Sequence, residues 1–408
     1  MAGAKVRGSL NVTVNVTLPA GSWRSVVHEA YIVGAVRSPI GKRNGGLSAV
    51  HPADLAAHVL RELIARTGVE PAEIEDVVLG CVAQAGPQAI DIARTAWLSA
   101  GLPESVPGVT IDRQCGSSQQ AIHFAAQGVM SGTQDLVIAG GIESMSMVPM
   151  GTTVGLPRKA GLAGPYGQGW RDRYGDQEIS QFRGAQLMCE KWGLTREQLE
   201  EFSLRSHTRA IQAIDSGRFD REITPVAGVS ADEGPRRDST LAKMAELKPL
   251  REGWELTAAT ASQISDGAAA LLIASSAAVR RHGFTPRARI HALAVTGADP
   301  VYMLTGPIPA TDRVLAKGHL HIDDIDVFEV NEAFAPVLLA WSADTGGSLE
   351  KTNPNGGAIA LGHPLGASGA ILMTKLLHEL ERSGGRYGLQ AMCEGGGQAN
   401  ATVIERLA

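Results

Sequence analysis

The sequence predicts an α/β protein: a duplicated α/β core interrupted by one inserted loop domain. Three observations predict it. Short apolar, β-branched runs alternate with stretches of helical periodicity through the first and last thirds of the chain. Three segments of the first third return in the same order in the last third. Between them, residues 146–263 break the alternation with Gly and Pro clusters, Trp170, Trp192 and Trp254, and the charged stretch 232–248.

The first predicted strand is Ala30-Tyr31-Ile32-Val33-Gly34-Ala35-Val36. A helical pattern follows from Pro52 through Leu55, Val59, Leu60, Leu63 and Ile64, with Gly68 as its stop. Residues 76–82 form the next strand, residues 90–100 a helix and residues 135–141 a third strand. Within the insertion, Leu199, Phe202, Ser206, Ala210 and Ile214 keep helical spacing. Long insertions over a regular core often cover substrate. The echoes then appear. Asp76-Val77-Val78-Leu79-Gly80-Cys81-Val82 is repeated in pattern by Asp326-Val327-Phe328-Glu329-Val330-Asn331-Glu332. The small-residue helix opening at Cys115-Gly116-Ser117-Ser118 is repeated at His363-Pro364-Leu365-Gly366-Ala367-Ser368. Leu136-Val137-Ile138-Ala139-Gly140-Gly141 is matched by Leu389-Gln390-Ala391-Met392-Cys393. A duplicated fold gathers its loops at one edge, a natural place for a site between halves. The expected division is 29–145 plus about 264–285 as the first half, 146–263 as the insertion and 286–408 as the second half. Residues 1–28 carry strand-like alternation without a signal-peptide core, and read as a dispensable extension, an over-called start.

Composition narrows the function classes. The chain has 408 residues, 44% hydrophobic and 19% charged, enough for a large packed core. Aromatics are only 4% while there are 48 glycines, so the core rests on aliphatic side chains and close backbone approaches. A net charge of -5 leaves no electrostatic footprint for nucleic acid or an anionic membrane. No apolar run reaches the ~18–20 residues that span a bilayer. The four cysteines, Cys81, Cys115, Cys189 and Cys393, lie far apart and lack disulfide or metal-ligand spacing. A cytoplasmic protein without a metal is expected.

Four segments carry chemistry. In Asp112-Arg113-Gln114-Cys115-Gly116-Ser117-Ser118, a thiol falls at a strand-to-helix turn. Free N–H groups and the helix dipole there favour a thiolate; a packed cysteine is the bland alternative. In Asn331-Glu332-Ala333-Phe334-Ala335, the Asn331 amide can donate to a carbonyl oxygen, or it can cap the following helix. His363 lies in a Gly/Pro-bracketed turn opening an apolar helix, suited to polarising a nucleophile or donating to an oxyanion. Cys393 ends a strand before Glu394-Gly395-Gly396-Gly397, which exposes backbone N–H groups beside a thiol.

Together, and in this order and spacing, Gln114-Cys115-Gly116-Ser117-Ser118, Asn331-Glu332-Ala333-Phe334-Ala335, Gly362-His363-Pro364-Leu365-Gly366-Ala367-Ser368-Gly369 and Cys393-Glu394-Gly395-Gly396-Gly397-Gln398 resemble the thiolase family over residues 29–408. The resemblance implies a layered α-β-α-β-α core. It implies Cys115 as the acyl-accepting nucleophile, His363 as its activator and Cys393 as the proton shuttle. Asn331 would hold a water that completes one oxyanion hole with His363. The N–H groups of Cys115 and Gly395 would form the other. Coenzyme A would be a cosubstrate, with no permanently bound cofactor. It would be held by the insertion through Arg236 and Ser262, while Lys243 and Arg237 could meet phosphate or simply form a solvated face. A homodimer or homotetramer is implied.

The sequence departs from the family pattern at Asp112, Glu394 and Ala399, and at Ala259-Thr260-Ala261 before Ser262. It also lacks the Met-rich His-Met segment of short-chain biosynthetic relatives. These features tilt the expectation toward a degradative 3-ketoacyl-CoA thiolase of the kind used in actinobacterial fatty-acid or sterol-ring breakdown. The alternatives are an acetoacetyl-CoA thiolase, a ketoacyl synthase, which would use two histidines in place of Cys393, and a non-catalytic CoA or lipid carrier.

Overall fold

The computed structural model describes residues 28–407; residues 1–27 of the expected extension lie outside the described residues. Ten strands follow in chain order: β1 (Ala30–Arg37), β2 (Gly41–Lys42), β3 (Asp76–Gly80), β4 (Gly108–Ile111), β5 (Leu136–Ser144), β6 (Ser265–Ser275), β7 (Ala288–Gly297), β8 (Val327–Val330), β9 (Tyr387–Glu394) and β10 (Gln398–Arg406). They hydrogen-bond in the order β4-β3-β5-β6-β1-β7-β10-β9-β8, with β2 on β6.

The order is a palindrome of connectivity. On one side β3 runs parallel to β4 and β5, and β5 and β1 flank β6 antiparallel. On the other β8 runs parallel to β9, and β9 and β7 flank β10 antiparallel. Thr352 bridges Phe328 in parallel, standing where β4 stands in the first half. The halves join through Tyr31↔Arg289 and Ile32↔Ala288. The duplication therefore holds for the strands. Its residue register differs from the sequence match in one place. Ile138 pairs with Val77 and Gly388 with Val327, so Leu389 occupies the position of Ala139, not of Leu136.

Side-chain alternation along β6 separates the layers. Ala269, Leu271 and Ile273 face a cluster containing Ala125 and Val129 of the helix Ser117–Ser131 and Ile371 and Leu376 of the helix Ser368–Ser383. Ala268, Ala270, Leu272 and Ala274 face the opposite way, onto Leu55 and Val59 of the helix Pro52–Thr67. In the second half Ala399, Ala401 and Val403 of β10 meet Val314 and Leu338 of two outer helices, Pro307–Gly318 and Ala335–Thr345. Helix, sheet, paired central helices, sheet and helix are thus stacked in that order. The two central helices are buried between sheets, which explains their Ser- and Gly-rich openings. A Cβ on Gly369 would overlap the backbone of Gln119, so only glycine permits the approach.

The stretch between β5 and β6 adds no strand to the sheet; it supplies the helices Thr152–Lys159, Gln168–Tyr174, Gln181–Trp192, Arg196–Asp215 and Leu241–Ala245. Helix Arg196–Asp215 begins with a capping box between Thr195 and Gln198. A buried ionic clasp ties the segment to β1. Arg37 donates from both terminal nitrogens to Asp232 at 2.7 and 3.0 Å, and from Nε to Glu222 at 2.7 Å.

Candidate active site

Three chain crossings build the site at one edge of the layers. The first is the turn between β4 and the central helix Ser117–Ser131. Asp112 accepts from the Gln114 N–H at 2.6 Å, and the Ser117 hydroxyl accepts from the Arg113 N–H and donates to the Gln114 carbonyl. Gln114 is held at φ 50°, a strained left-handed conformation for a residue with a side chain. This turn projects Cys115 just ahead of the helix, whose N-cap is Gly116.

The second crossing is the β9–β10 hairpin. Cys393 is fully buried and pairs across the ladder with Ala399. The N–H groups of Cys115 itself and of Gly395 both act on the Cys115 sulfur. The Cys115 turn and this hairpin pack directly together, a Cβ on Gly116 overlapping the Glu394 carboxyl and one on Gly395 meeting the Gln114 side chain, so the two thiols lie on abutting turns. The third crossing is the turn before the helix Ser368–Ser383. His363 is buried, and Nδ1 lies 2.6 Å from Ser368 Oγ. Ser368 donates its proton to the Pro364 carbonyl at 2.8 Å, so it accepts from Nδ1–H. Nε2 then carries the lone pair, with the Asn331 amide 3.4 Å away. The helix openings bearing Cys115 and His363 touch where the Ala370 N–H donates to Ser118 Oγ at 2.9 Å.

Electrostatics depart from the expectation of a ready thiolate. Burial, then the carboxyl of Glu394, pushes the Cys115 thiol up to about 12, against the two backbone N–H groups. Cys393 is raised by burial, then by Cys115 and Glu394. The helix end is present, but desolvation outweighs it. His363 is lowered to about 4 by burial alone and is neutral at pH 7.

The alternative role of Asn331 as a helix cap is excluded. The helix after it starts at Ala335 with Phe334 at the cap, and Asn331 is buried beside His363. Ser262 donates its N–H to the Ala333 carbonyl at 2.9 Å, and its neighbour Gln263 accepts from the His363 N–H at 3.0 Å. That strand of chain links the Asn331 and His363 turns. Arg236 lines a cavity of about 150 Å³ with His207, Ser239, Lys243, Ala259 and Gln263. Ser262 stands beside this lining, not in it. Lys243 reaches it while donating to Asp238 at 2.7 Å. Arg237 does not: its guanidinium is paired bidentately with Asp215 on the surface.

Two supporting residues escaped sequence reasoning. Ser368, five residues after His363 in the same Gly/Pro-rich turn, fixes the His363 tautomer. Glu143, at the end of β5, accepts from the N–H groups of Val82, Ala83 and Gly366 at 2.8–3.0 Å and so pins the His363 turn to the first half. Its signal was faint: a lone carboxylate closing an apolar strand.

A two-thiol centre with a neutral histidine and convergent backbone donors, at the meeting of two like halves, defines a class of acyl-transfer site. The family comparisons agree, and the chain belongs to the thiolase family. The thiolase N-terminal domain model matches residues 30–277 and the thiolase C-terminal domain model matches residues 284–406. The chain is similar to steroid 3-ketoacyl-CoA thiolase FadA6 of Mycobacterium tuberculosis, 57% identical over 97% of this chain and 98% of the relative. It is 45% identical to a beta-ketoadipyl-CoA thiolase of Pseudomonas aeruginosa, over 93% of this chain and 99% of that one. Among solved structures, the acetyl-CoA acetyltransferase of Bacillus anthracis superposes with a TM-score of 0.83 at 39% identity, covering 93% of this chain and 99% of that chain. Among the described residues, no helix is long and apolar enough to cross a membrane.

Proposed function

We propose that the chain is a degradative 3-ketoacyl-CoA thiolase, cleaving 3-ketoacyl-CoA with free coenzyme A to acetyl-CoA and an acyl-CoA two carbons shorter. The observation that carries this reading is the direct packing of the Cys115 turn on the Cys393–Gly395 hairpin, with Gly116 against Glu394 and Gly395 against Gln114. His363 Nε2 takes the Cys115 proton, and the thiolate attacks the 3-keto carbon. The C2–C3 bond breaks, leaving an acyl group on Cys115 and an acetyl-CoA carbanion. Cys393 protonates that carbanion and recovers its proton from the incoming coenzyme A thiol. The new thiolate attacks acyl-Cys115 and releases the shortened acyl-CoA, and His363 returns its proton to Cys115. Two carbonyl oxygens gain charge in turn. The Cys115 and Gly395 N–H groups serve the thioester oxygen on Cys115, and His363 with an Asn331-held water serves the other. One such donor is worth about 10²–10³-fold in rate.

Arg236 and Ser262, beside the cavity of the insertion (146–263), are proposed to hold coenzyme A, which is a cosubstrate; no permanently bound cofactor takes part in the scheme. A homodimer or homotetramer acting in the cytoplasm on diffusible acyl-CoA, with neither nucleic acid nor membrane as partner, fits this chemistry. The name of the 57% identical relative supports a ring-bearing or bulky acyl chain. The acetyl-CoA acetyltransferase among the structural neighbours supports, as second reading, an acetoacetyl-CoA thiolase. Incubation with acetyl-CoA should add one acetyl mass mapping to Cys115. A panel of 3-ketoacyl-CoA thioesters with coenzyme A then separates the readings. Faster cleavage of long or ring-bearing chains supports the first, turnover of acetoacetyl-CoA alone the second, and no acylation overturns both.

A further inference from the structure

Glu394 follows Cys393 on β9 and therefore points to the opposite face of the strand. There it is fully buried against the opening of the central helix: a Cβ on Gly116 would overlap its Oε1. Neither carboxylate oxygen has a hydrogen-bond partner among the described residues. Buried carboxylates ordinarily collect several donors, as Glu143 does. Glu394 instead occupies a polar seam between the helix Ser117–Ser131 and strands β9 and β10. Arg113 Nε and the side-chain oxygens of Gln119, Gln390 and Asn400 are also left without partners in it. A carboxyl so placed, one residue from each thiol-bearing turn, has no evident structural use.

We propose that Glu394 is a positioning residue of the thiol centre, whose charge, held in a buried and donor-poor seat against Gly116, governs how readily Cys115 and Cys393 ionise. The proposal rests on the thiolase reading for its consequence in catalysis. The ionisable groups that act on Glu394 and the thiols are Arg113, the two cysteines themselves and, from β5, Glu143, which also raises Cys115. Arg113 comes from the turn before the helix, Cys115 follows it, and Cys393 lies on its own strand. His123, on the same helix, faces Arg113 and is itself neutral, lowered to about 3 by burial and then Arg113. On β10 the uncharged Gln398 accepts from Arg113 at 3.0 Å and the uncharged Asn400 donates to Gln120 at 3.1 Å. Burial raises Glu394 to about 8, with the Arg113 guanidinium acting the other way. Near neutral pH the carboxyl is largely protonated and leaves Cys115 free to give its proton to His363 and Cys393 to give its proton to the substrate carbanion. Above that range it becomes a carboxylate and opposes thiolate formation on both cysteines. An ordinary thiol enzyme gains nucleophile as pH rises; this centre acquires a descending alkaline limb.

The test compares wild type with Glu394→Gln, which keeps the shape and cannot ionise. Two readouts are taken between pH 6.5 and 10: kcat/KM for thiolysis, and the rate of iodoacetamide alkylation of Cys115 mapped by mass spectrometry. In the variant the alkaline limb is expected to vanish, and alkylation at pH 9 to rise about tenfold, the equivalent of one unit of thiol acidity. Alkylation reads the thiol without thiolase turnover. A chain that cleaves no ketoacyl-CoA but shows faster alkylation in the variant would lose the functional reading and keep this one. Glu394→Ala, which relieves the crowding at Gly116, provides the neutral centre if the Gln variant does not fold. Identical limbs and identical alkylation rates in wild type and a folded neutral variant overturn the proposal.

Discussion

Ser368 Oγ lies 2.6 Å from Nδ1 of His363 and donates its own O–H hydrogen bond to the Pro364 carbonyl, so the imidazole is locked with its lone pair on Nε2. A base is useful only in the tautomer that faces its acid. Ser368→Ala frees the ring to rotate and to exchange tautomers. The expected cost is roughly 10- to 100-fold in kcat, a part of the ~10²–10⁴-fold a general base supplies. Stability should change by only about 1 kcal/mol, the worth of one hydrogen bond. Steady-state kinetics beside a urea melt check it; loss of kcat with an unchanged melt is the expected pair of results.

The same burial that seats His363 sets the acid edge of activity. Its lowering to about 4 keeps it neutral through the range where an exposed histidine is half protonated. The base form survives above its folded value, so kcat/KM should hold down to pH 5 and fall as pH drops through about 4. Stability follows the same sign. The unfolded chain takes the proton first below about 6.5, so this contribution is present above that value and is lost as pH falls toward 4. A pH–rate profile with its acid limb near 6.5 would mean that His363 titrates as an ordinary imidazole and that burial does not lower it.

The layers were legible in the sequence because their signals are local. A short continuous apolar run marks β1 and a period of 3.6 marks the helix Pro52–Thr67, whose stop at Gly68 takes the left-handed φ of 67° that glycine favours. The chemistry-bearing turns were legible because each is a dense run of small residues around one reactive side chain. What escaped depends on contacts distant in sequence. Glu394 at a strand end beside three glycines looks solvent-facing until the far face of β9 is known to press on Gly116. The helix end at Cys115 suggests a thiolate, and only the fold brings the burial and the carboxyl that outweigh it. Arg237, in a basic cluster, looks as apt for phosphate as Arg236, yet Asp215 on the helix Arg196–Asp215 claims it.

Gly116 and Glu394 are predicted to be coupled sterically. Gly116→Ala places a methyl group on the Glu394 carboxyl and should destabilise the fold by about 1–3 kcal/mol, the usual range for overpacking. Glu394→Ala opens the space, so the double variant should recover most of that loss. A double-mutant cycle measures the coupling by chemical denaturation. Simple additivity would mean that the helix opening shifts to absorb the methyl group.

The Arg37 clasp is the last of these relationships, and it concerns the insertion. Arg37 is fully buried, held by Asp232 on two nitrogens and by Glu222 on the third. Asp232 also accepts from the Ile40 N–H at 2.7 Å, so β1, the turn after it and the insertion meet on one carboxylate. Arg37→Ala strands two buried acids. Breaking a buried pair in this way costs about 3–5 kcal/mol. The loss should be largest where Asp232 leads into Arg236 and the cavity wall. Two effects are therefore expected together: a lower unfolding midpoint, and a raised KM for coenzyme A that exceeds the change in kcat. Arg37→Lys keeps one charge but not the three-way fork, and should fall between wild type and Ala in both. If the KM for coenzyme A is unchanged in a destabilised Ala variant, the clasp holds the fold without shaping the cavity.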